Sequence, residues 1–329
     1  MLNLREDLNA DLVLRDKKDG SLKGRVGISF TLYYEQDMPE LLDTFRQATE
    51  SYFDYVPLGT INFYNNHSSW RPYNKRSLGR LLNRFSSRDD DGHWLAFAQI
   101  DSADDGDGEG PYATAEIGNY ALSLSGRNRD RAGPFREACT SVIRCDFPHD
   151  QLQQAGVSSF LKFVGRLAAL APFESGHAGF SFIYSTQSDE NDEHEWISYK
   201  APRYLAVHPH SDNWEYYARG RVANVNWLTL LGDALSTRLG GIEAMRARLS
   251  AAVDVQPLKF GTLLVAGETP PLGEVNRQAP DIDPLREVAR LTRPYWIDDE
   301  TMFNDILNYF WHGDETTRRW INRLDLAGK

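Results

Sequence analysis

The chain has little cysteine and no long apolar run, and each absence limits what it can be. Its 329 residues contain two cysteines, Cys139 and Cys145, which lie six residues apart in an apparent strand. That spacing is poor for a disulfide, and two cysteines alone cannot complete a structural zinc site, so a reducing compartment is expected. No stretch approaches 18 apolar residues, and residues 1–16 lack the pattern of a secretory signal. We therefore expect a cytoplasmic protein with no membrane span.

Positive charge is also in short supply. Lys and Arg number 36 against 47 Asp and Glu, which gives a formal net charge of -11. Broad electrostatic contact with DNA, RNA or anionic lipid needs clustered positive charge, so no nucleic-acid or membrane partner is expected. A negative chain is instead soluble and attracted to a basic protein. The hydrophobic share of 41% is that of a folded globular chain.

Motifs of the common enzyme classes are missing. The sequence has no Walker loop, dinucleotide glycine fingerprint, Gly-x-Ser-x-Gly or His-Glu-x-x-His. The run Asp298-Asp299-Glu300 has the acids of a restriction-type nuclease site without its lysine. We therefore predict no catalytic residue, no cofactor and no bound metal.

One short segment does contain zinc ligands by type, namely His208, His210 and Asp212. These residues define the alternative hypothesis, a metal-dependent hydrolase. The proline between the two histidines constrains their geometry, and no further ligand motif lies nearby. A surface loop is the favoured interpretation.

Apolar periodicity indicates strands and helices that alternate without a βαβ repeat. Val26, Ile28, Phe30 and Leu32 predict one face of a strand, and Pro39 opens a helix with an apolar stripe. Further predicted strands are 60–64, 94–100, 112–124, 141–147, 178–184 and 258–265; further predicted helices are 77–85, 157–170, 232–239, 242–249, 284–291 and 300–311. This pattern predicts an α+β fold with mixed or mainly antiparallel sheets flanked by helices. We expect one domain over residues 1–329, with a possible boundary near 186–200.

Two acidic segments, 101–111 and 186–195, are predicted to be loops. Their candidate partner-binding carboxylates are Asp104, Asp105, Asp107, Glu109, Asp189, Glu190, Asp192 and Glu193. A calcium loop of the EF-hand type is excluded for the first segment, because Ala103 and Tyr112 stand where ligands are needed. Three interpretations remain, namely a solvated loop, a surface that attracts a basic partner and a metal site of another type, and the solvated loop is favoured.

A basic segment and an aromatic segment each allow two interpretations. The basic residues are Arg71, Lys75, Arg76, Arg80, Arg84 and Arg88; the aromatic residues are Trp196, Tyr199, Tyr204, Trp214, Tyr216 and Tyr217. The first set suits nucleic-acid binding or a solvated helix face, and the net charge favours the solvated face. The second set suits interface anchors or core packing, and we expect mostly core packing.

The stretch from Asn224 to Pro294 carries the most specific pattern. It contains Val-Asn-Trp-Leu-Thr-Leu-Leu-Gly, then Leu-Gly-Gly, then Ala-Gly-Glu-Thr-Pro-Pro-Leu-Gly-Glu-Val-Asn-Arg, and finally Arg293-Pro294. This pattern resembles a bacterial family of type VI secretion immunity proteins, the antidotes to nuclease toxins of the VRR-Nuc type. Two positions depart from the family: Glu274 stands where Asp is frequent, and Leu205-Ala206 follows Arg203-Tyr204 where Pro-Gly is frequent.

The resemblance implies an immunity protein that binds and neutralises a type VI secretion toxin by blocking its active or substrate-binding site. The matching residues look architectural, so the resemblance assigns no catalytic role to any of them. The acidic segments would then contact the toxin. Besides the hydrolase, a scaffold of the secretion apparatus is a third hypothesis, which predicts association with secretion components when no toxin is present.

Overall fold

The computed structural model describes most of the chain. The described residues are 11–18, 20–65, 70–86, 92–99, 118–128, 137–184, 191–210, 212–276, 282–311 and 315–325. Predictions that fall on other residues, such as the tip of the acidic segment 101–111, lie outside this set.

Twelve strands of the described residues form one sheet. They are β1 (Val13–Arg15), β2 (Leu22–Tyr34), β3 (Phe63–Asn65), β4 (Trp70–Pro72), β5 (Gly92–Ala98), β6 (Ala121–Arg127), β7 (Ser141–Phe147), β8 (Ser175–Tyr184), β9 (His208–Pro209), β10 (Leu228–Gly232), β11 (Val253–Leu258) and β12 (Gly261–Ala266). The order is β11-β12-β10-β8-β2-β7-β6-β5-β3-β4, with β1 beside β2 and β9 beside β8. Only the β8–β9 pairing is parallel. The predicted α+β class and mainly antiparallel sheet are confirmed.

Helices alternate with the strands along the chain, and several of them pack on the sheet. They are α1 (Met38–Tyr55), α2 (Leu78–Ser86), α3 (Gln151–Ala155), α4 (Val157–Ala168), α5 (Asn191–Lys200), α6 (Asp233–Arg238), α7 (Gly241–Arg248), α8 (Asp283–Thr292), α9 (Asp299–Thr301), α10 (Asn308–Trp311) and α11 (Glu315–Ile321). Within the described residues, no helix is both long enough and apolar enough to span a membrane.

The sheet has an apolar back face, on which the alternation in β2 places Ile28, Phe30 and Leu32. All three are fully buried. Helices α1 and α4 cover this face, and the ring of Phe163 on α4 lies 6.2 Å from Phe30 and 4.4 Å from Tyr55 of α1. Pro39 stands in the first turn of α1, where a missing N–H costs nothing. The predicted strand face and helix are confirmed.

The front face of the same sheet is polar at its centre. Strand register aligns Arg144 of β7, Thr31 of β2, His177 of β8 and Thr229 of β10 in one row. Thr31 and Thr229 are fully buried, and His177 is 2% exposed. Towards β12 the front face becomes apolar again, where Leu231 and Leu264 pack in a second core with residues of α6, α7 and α8.

Two sequence-based boundaries are wrong. The predicted strand 258–265 is a hairpin, in which β11 ends at Leu258 and β12 begins at Gly261. The predicted helix 300–311 is broken into α9, a π-helix over Met302–Ile306, and α10. Gly240, which follows the end of α6, takes the left-handed conformation that glycine adopts without steric cost, with φ 93°.

Candidate functional site

Most of the predicted partner-binding carboxylates fall outside the described residues. This applies to Asp104, Asp105, Asp107 and Glu109 in the first acidic segment, and to Asp189 and Glu190 in the second. Their role in binding stays a prediction.

The end of the second acidic segment is not a loop. Residues 191–200 form α5, whose first turn contains Asp192 and Glu193; acidic side chains are favoured there by the helix dipole. Asp192 is 60% exposed and lies 3.7 Å from the ammonium of Lys23. Glu193 is fully buried, so only Asp192 of this pair is presented to solvent.

Two of the three candidate zinc ligands have described side chains, and both are buried. His208 and His210 are 1% and 7% exposed, so the surface-loop interpretation is wrong as well. Within the described part of the chain, no three His, Cys, Asp or Glu residues are grouped so that they could hold a metal ion. The hydrolase hypothesis is not supported.

His208 instead belongs to the buried polar centre of the front face. Its ring centroid lies 4.9 Å from that of His177 and 5.3 Å from that of Trp214. Ser181 donates a hydrogen bond to the carbonyl of His208 over 2.9 Å, which seats β9 beside β8. Sequence reading missed this burial because His-Pro-His has no apolar signature.

The aromatic segment divides between core and surface. Trp196, Tyr204 and Trp214 are buried, whereas Tyr199 is 75% exposed. Core packing is thus confirmed for these three residues. Tyr216, which is half-buried, lies under the guanidinium of Arg127 at 4.4 Å.

The outer face of α1 presents a row of carboxylates that sequence reading did not single out. Glu40, Asp43, Glu50 and Asp54 are all exposed, and we call them the acidic ridge. Their spacing puts them on the side of α1 opposite its buried stripe. At 1.5 Å per residue the ridge is about 21 Å long. None of the four forms an ion pair with a Lys or Arg among the described residues.

Part of the basic segment lies on the chain that follows α1. Arg71, Lys75, Arg76 and Arg80 are exposed; the side chains of Arg84 and Arg88 are outside the described set. Phe53 of α1 contacts Tyr73 with ring centroids 5.2 Å apart, so the two segments pack together. Surface charge therefore changes sign between neighbouring segments. This arrangement tests neither interpretation of the basic residues.

The motif region is built of structural contacts. The indole of Trp227 donates to the carbonyl of Gly267 over 3.0 Å, and the side-chain oxygen of Asn226 accepts from the Trp227 N–H over 2.7 Å. Gly273 has φ 67°, and an added Cβ would lie 2.8 Å from the backbone nitrogen of Ala206. Each of these residues fixes the backbone, which agrees with an architectural role.

The two positions that depart from the family pattern meet in space. A guanidinium nitrogen of Arg203 lies 2.6 Å from a carboxylate oxygen of Glu274. The Leu205 N–H donates to the Gly273 carbonyl over 3.1 Å, and the Ala206 N–H donates to the Leu272 carbonyl over 3.2 Å. The two departures are therefore parts of one local contact.

Comparison with known proteins agrees with this geometry. The family model TsiV, described as type VI immunity for VRR-NUC, matches residues 38–324. No curated protein matches the chain. The Pseudomonas aeruginosa T6SS protein PA0821 has a similar structure, with a TM-score of 0.74 and 16% identity over 95% of this chain and 87% of that one; at this identity the likeness shows the fold alone. Because the family model covers most of this chain, the chain belongs to the family of type VI immunity proteins for VRR-Nuc.

Proposed function

We propose that this protein acts by binding a secreted VRR-Nuc toxin directly and blocking its active or nucleic-acid-binding surface. The observation that carries this proposal is the family match over residues 38–324. The protein works as one domain in the cytoplasm, without catalysis, cofactor or bound metal. Its contribution is a surface complementary to the toxin.

Charge supports this mode of binding. A nuclease holds the phosphates of its substrate with basic groups, and this chain carries a net charge of -11. Carboxylates on an inhibitor can occupy such a surface, speed association and fix its orientation. The candidates are Asp104, Asp105, Asp107, Glu109, Asp189, Glu190 and Asp192, together with the acidic ridge on α1.

Protection of cells tests the function itself. The toxin gene expected beside this one is induced in a host with and without this chain. We expect growth only when the chain is present, and we expect the two proteins to co-purify. The proposal is contradicted if the chain gives no protection and does not co-purify with the toxin. Association with secretion components in a host that lacks the toxin would also contradict it.

Charge reversal tests the surface. In the ridge variant, Glu40, Asp43, Glu50 and Asp54 become Lys; in the matched control, the exposed acids Asp233, Glu243, Asp254 and Glu268 become Lys. The total charge change is equal, so long-range attraction changes equally. If the ridge contacts the toxin, its reversal weakens the Kd at least ten-fold more than the control and flattens the salt dependence of the on-rate.

The acidic segments are tested in the same assay. One variant changes Asp104, Asp105, Asp107 and Glu109 to their amides, and another does so for Asp189, Glu190 and Asp192. Equal toxin affinity in these variants, the ridge variant and the control would remove the acidic surface from the proposal while leaving the immunity function intact.

A further inference from the structure

Five buried rings connect the front face of the sheet to the C-terminal end of the described chain. The ring centroids of Tyr33 and His177 are 6.1 Å apart, and those of His177 and His208 are 4.9 Å apart. His208 in turn lies 5.3 Å from Trp214 and 6.5 Å from Trp320 of α11. We call His177, His208 and Trp320 the imidazole latch, because they join β8, β9 and α11.

The two imidazoles of the latch are built to be neutral. His208 is 1% exposed, and neither of its ring nitrogens has a hydrogen-bond partner among the described residues. The same holds for Nδ1 of His177, which is 2% exposed. An imidazolium has two N–H donors, and a buried charge needs acceptors or a counter-ion to be tolerated. The latch supplies neither.

Charged groups on the surrounding elements make protonation harder still. The guanidinium of Arg144 on β7 is held by Asp146 at 3.0 Å. Arg323, just after α11, stacks 3.6 Å above the Trp320 ring. Burial lowers the pKa of Arg323 to about 9, although the negative charge of Asp325 raises it in part.

Among the described side chains around the latch, the remaining titratable groups do not offer a free acid. Tyr33 on β2 and His210 after β9 are buried, and Glu215 in the 3-10 segment Asp212–Tyr216 is engaged by Arg127. Burial lowers the pKa of His177 to about 3, and the positive charges of His210 and Arg144 add to this effect. Burial also lowers the pKa of His208 well below its usual value, with His177, His210, Arg323 and Arg144 as further causes.

The direction of the pH effect follows from these shifts. An imidazole in an opened or unfolded chain binds its proton near pH 6.5. In the closed latch the pKa is lower, so below pH 6.5 the open state holds more protons than the closed one. The closed state is therefore fully stable above pH 6.5 and loses stability as the pH falls. As the pH falls below 6.5, each histidine raises the equilibrium constant for opening of the latch by up to about 10-fold per pH unit.

We propose that the imidazole latch is an acid-sensitive device, whose protonation releases residues 208–210, 212–216 and 315–325 from the front face while the back face stays folded. The back face supports this separation, because α1, α4 and the inward residues that they cover contain no histidine. Carboxylates with lowered pKa, such as Asp11 and Asp298, lose their stabilising charge only near pH 4 and below. Burial raises the pKa of Glu174, so this carboxyl stabilises the fold as the pH falls. A loss of stability between pH 6.5 and 4.5 is therefore assigned to the histidines, whose pKa is lowered.

Hydrogen exchange with mass spectrometry tests the proposal on the full chain. Protection is measured between pH 7.5 and 4.5 and corrected for the intrinsic exchange rate at each pH. We expect protection of residues 208–216 and 315–325 to fall up to about 10-fold per pH unit for each histidine below 6.5, while 157–168 keeps its protection. Constant protection throughout, or an equal loss in 157–168, would overturn the proposal.

Substitutions assign the effect to the latch. His208→Phe keeps an aromatic ring and removes the titrating group, so the acid-dependent loss of protection becomes smaller. His149→Phe is the control, because His149 lies before α3 and outside the latch, while burial lowers its pKa as well. In this variant the acid-dependent loss of protection in residues 208–216 and 315–325 should equal that of the wild type. An unchanged loss in His208→Phe contradicts the proposal.

A measurement on the unsubstituted protein serves if His208→Phe does not fold. Nitrogen chemical shifts of the imidazoles report their protonation directly. His177 and His208 are expected to stay neutral until the two segments lose protection. A shift that titrates near pH 6.5 while those segments remain protected would contradict the proposal.

Discussion

The two faces of the central sheet are made from alternate residues of the same strands, yet they depend on different interactions. The back face buries Ile28, Phe30 and Leu32 against aromatic side chains of α1 and α4. The front face buries Thr31 and His177, and the ring of His177 lies against His208, which packs beside Trp214 and Trp320. Apolar burial is independent of pH, whereas buried polar groups stabilise only while they are neutral or paired. The stability contributed by the back face should therefore not depend on pH, whereas that contributed by the front face should depend on pH and on hydrogen-bond partners.

Truncation in the back face should have the largest effect. Phe163 lies within 5.6 Å of Phe147 and 4.4 Å of Tyr55, measured between ring centroids. Phe163→Ala should lower the free energy of unfolding by about 3–5 kcal/mol, because it leaves a cavity between rings. Urea unfolding at pH 7.5 measures the loss. Phe163→Leu fills more of the space and should lose less; a loss below about 1 kcal/mol for the alanine variant would show that the back face is not the main source of stability.

Removal of the buried guanidinium of Arg25, at the edge of the front face, should cause the second-largest loss in the free energy of unfolding. Arg25 donates to the carbonyls of Phe147, Gly118 and Asn119 over 2.9–3.0 Å, and Gly27 leaves it room, since an added Cβ there would lie 2.1 Å from a guanidinium nitrogen. Burial lowers the pKa of Arg25 to about 10, so the group stays charged at neutral pH. Arg25→Met should cost about 2–4 kcal/mol, because three carbonyls lose their donor.

The control for this change is Arg15→Met on β1. Arg15 is exposed and donates to one carbonyl, that of Gly20, so its loss should be much smaller. Equal losses in the two variants, again by urea unfolding, would show that the Arg25 contacts are not specifically stabilising.

One front-face substitution should have the opposite sign. The hydroxyl of Thr31 is fully buried and has no hydrogen-bond partner among the described residues. Thr31→Val removes this polar atom and keeps the shape, so the free energy of unfolding should rise by up to about 1 kcal/mol. Thr49→Val is the matched control, because the equally buried Thr49 donates to the Phe45 carbonyl over 2.7 Å, and it should be destabilising. A loss in Thr31→Val as large as in the control would mean that the front-face hydroxyl is bonded.

The smallest effect is expected at Asp11, outside both faces. Burial opposes its ionisation, but hydrogen bonds from Lys200 and Tyr204 and the charges of Lys200 and Arg203 lower its pKa. A lowered pKa stabilises the fold above the unfolded value near 3.9, and that contribution is lost as the pH falls below it.

This contribution is measured as the difference in the free energy of unfolding between pH 5 and pH 3.5. Asp11→Asn should reduce the difference by less than about 1 kcal/mol, because the partly exposed pairs are screened by solvent. An unchanged difference would show that these pairs do not contribute.

The sequence predicts the back face far better than the front. The sequence predicts a strand over residues 141–147, where β7 is found, and the helical period predicts the apolar stripe of α1. Both signals come from side chains that repeat with the period of the backbone. The burial of His208 has no such signal, because it depends on Trp214 and Trp320, which are distant in sequence and close only after folding.

Two misses did carry a readable signal. Asp192 and Glu193 start α5 as acidic residues in a first turn, which is a helix-start pattern, but the surrounding acids favoured a loop. The acidic ridge is the complement of the apolar stripe on α1 and could have been found from the same period. The hairpin of β11 and β12 is different, because its turn at Lys259 and Phe260 lacks the usual turn residues. The sequence therefore predicts a single strand over 258–265.

The position of β2 at the middle of the sheet has a consequence for synthesis of the protein. Both of its long neighbours, β7 and β8, are encoded far downstream, and β8 ends about 150 residues after β2. At ribosomal rates of about 5–20 residues per second, β2 waits roughly 8–30 s before its pairing can be completed. During that interval α1, encoded directly after β2, is available to cover its apolar residues, but the backbone of β2 lacks its two long neighbours. An unpaired strand presents free backbone donors and acceptors, so completion of the central sheet is a late step in synthesis of this chain.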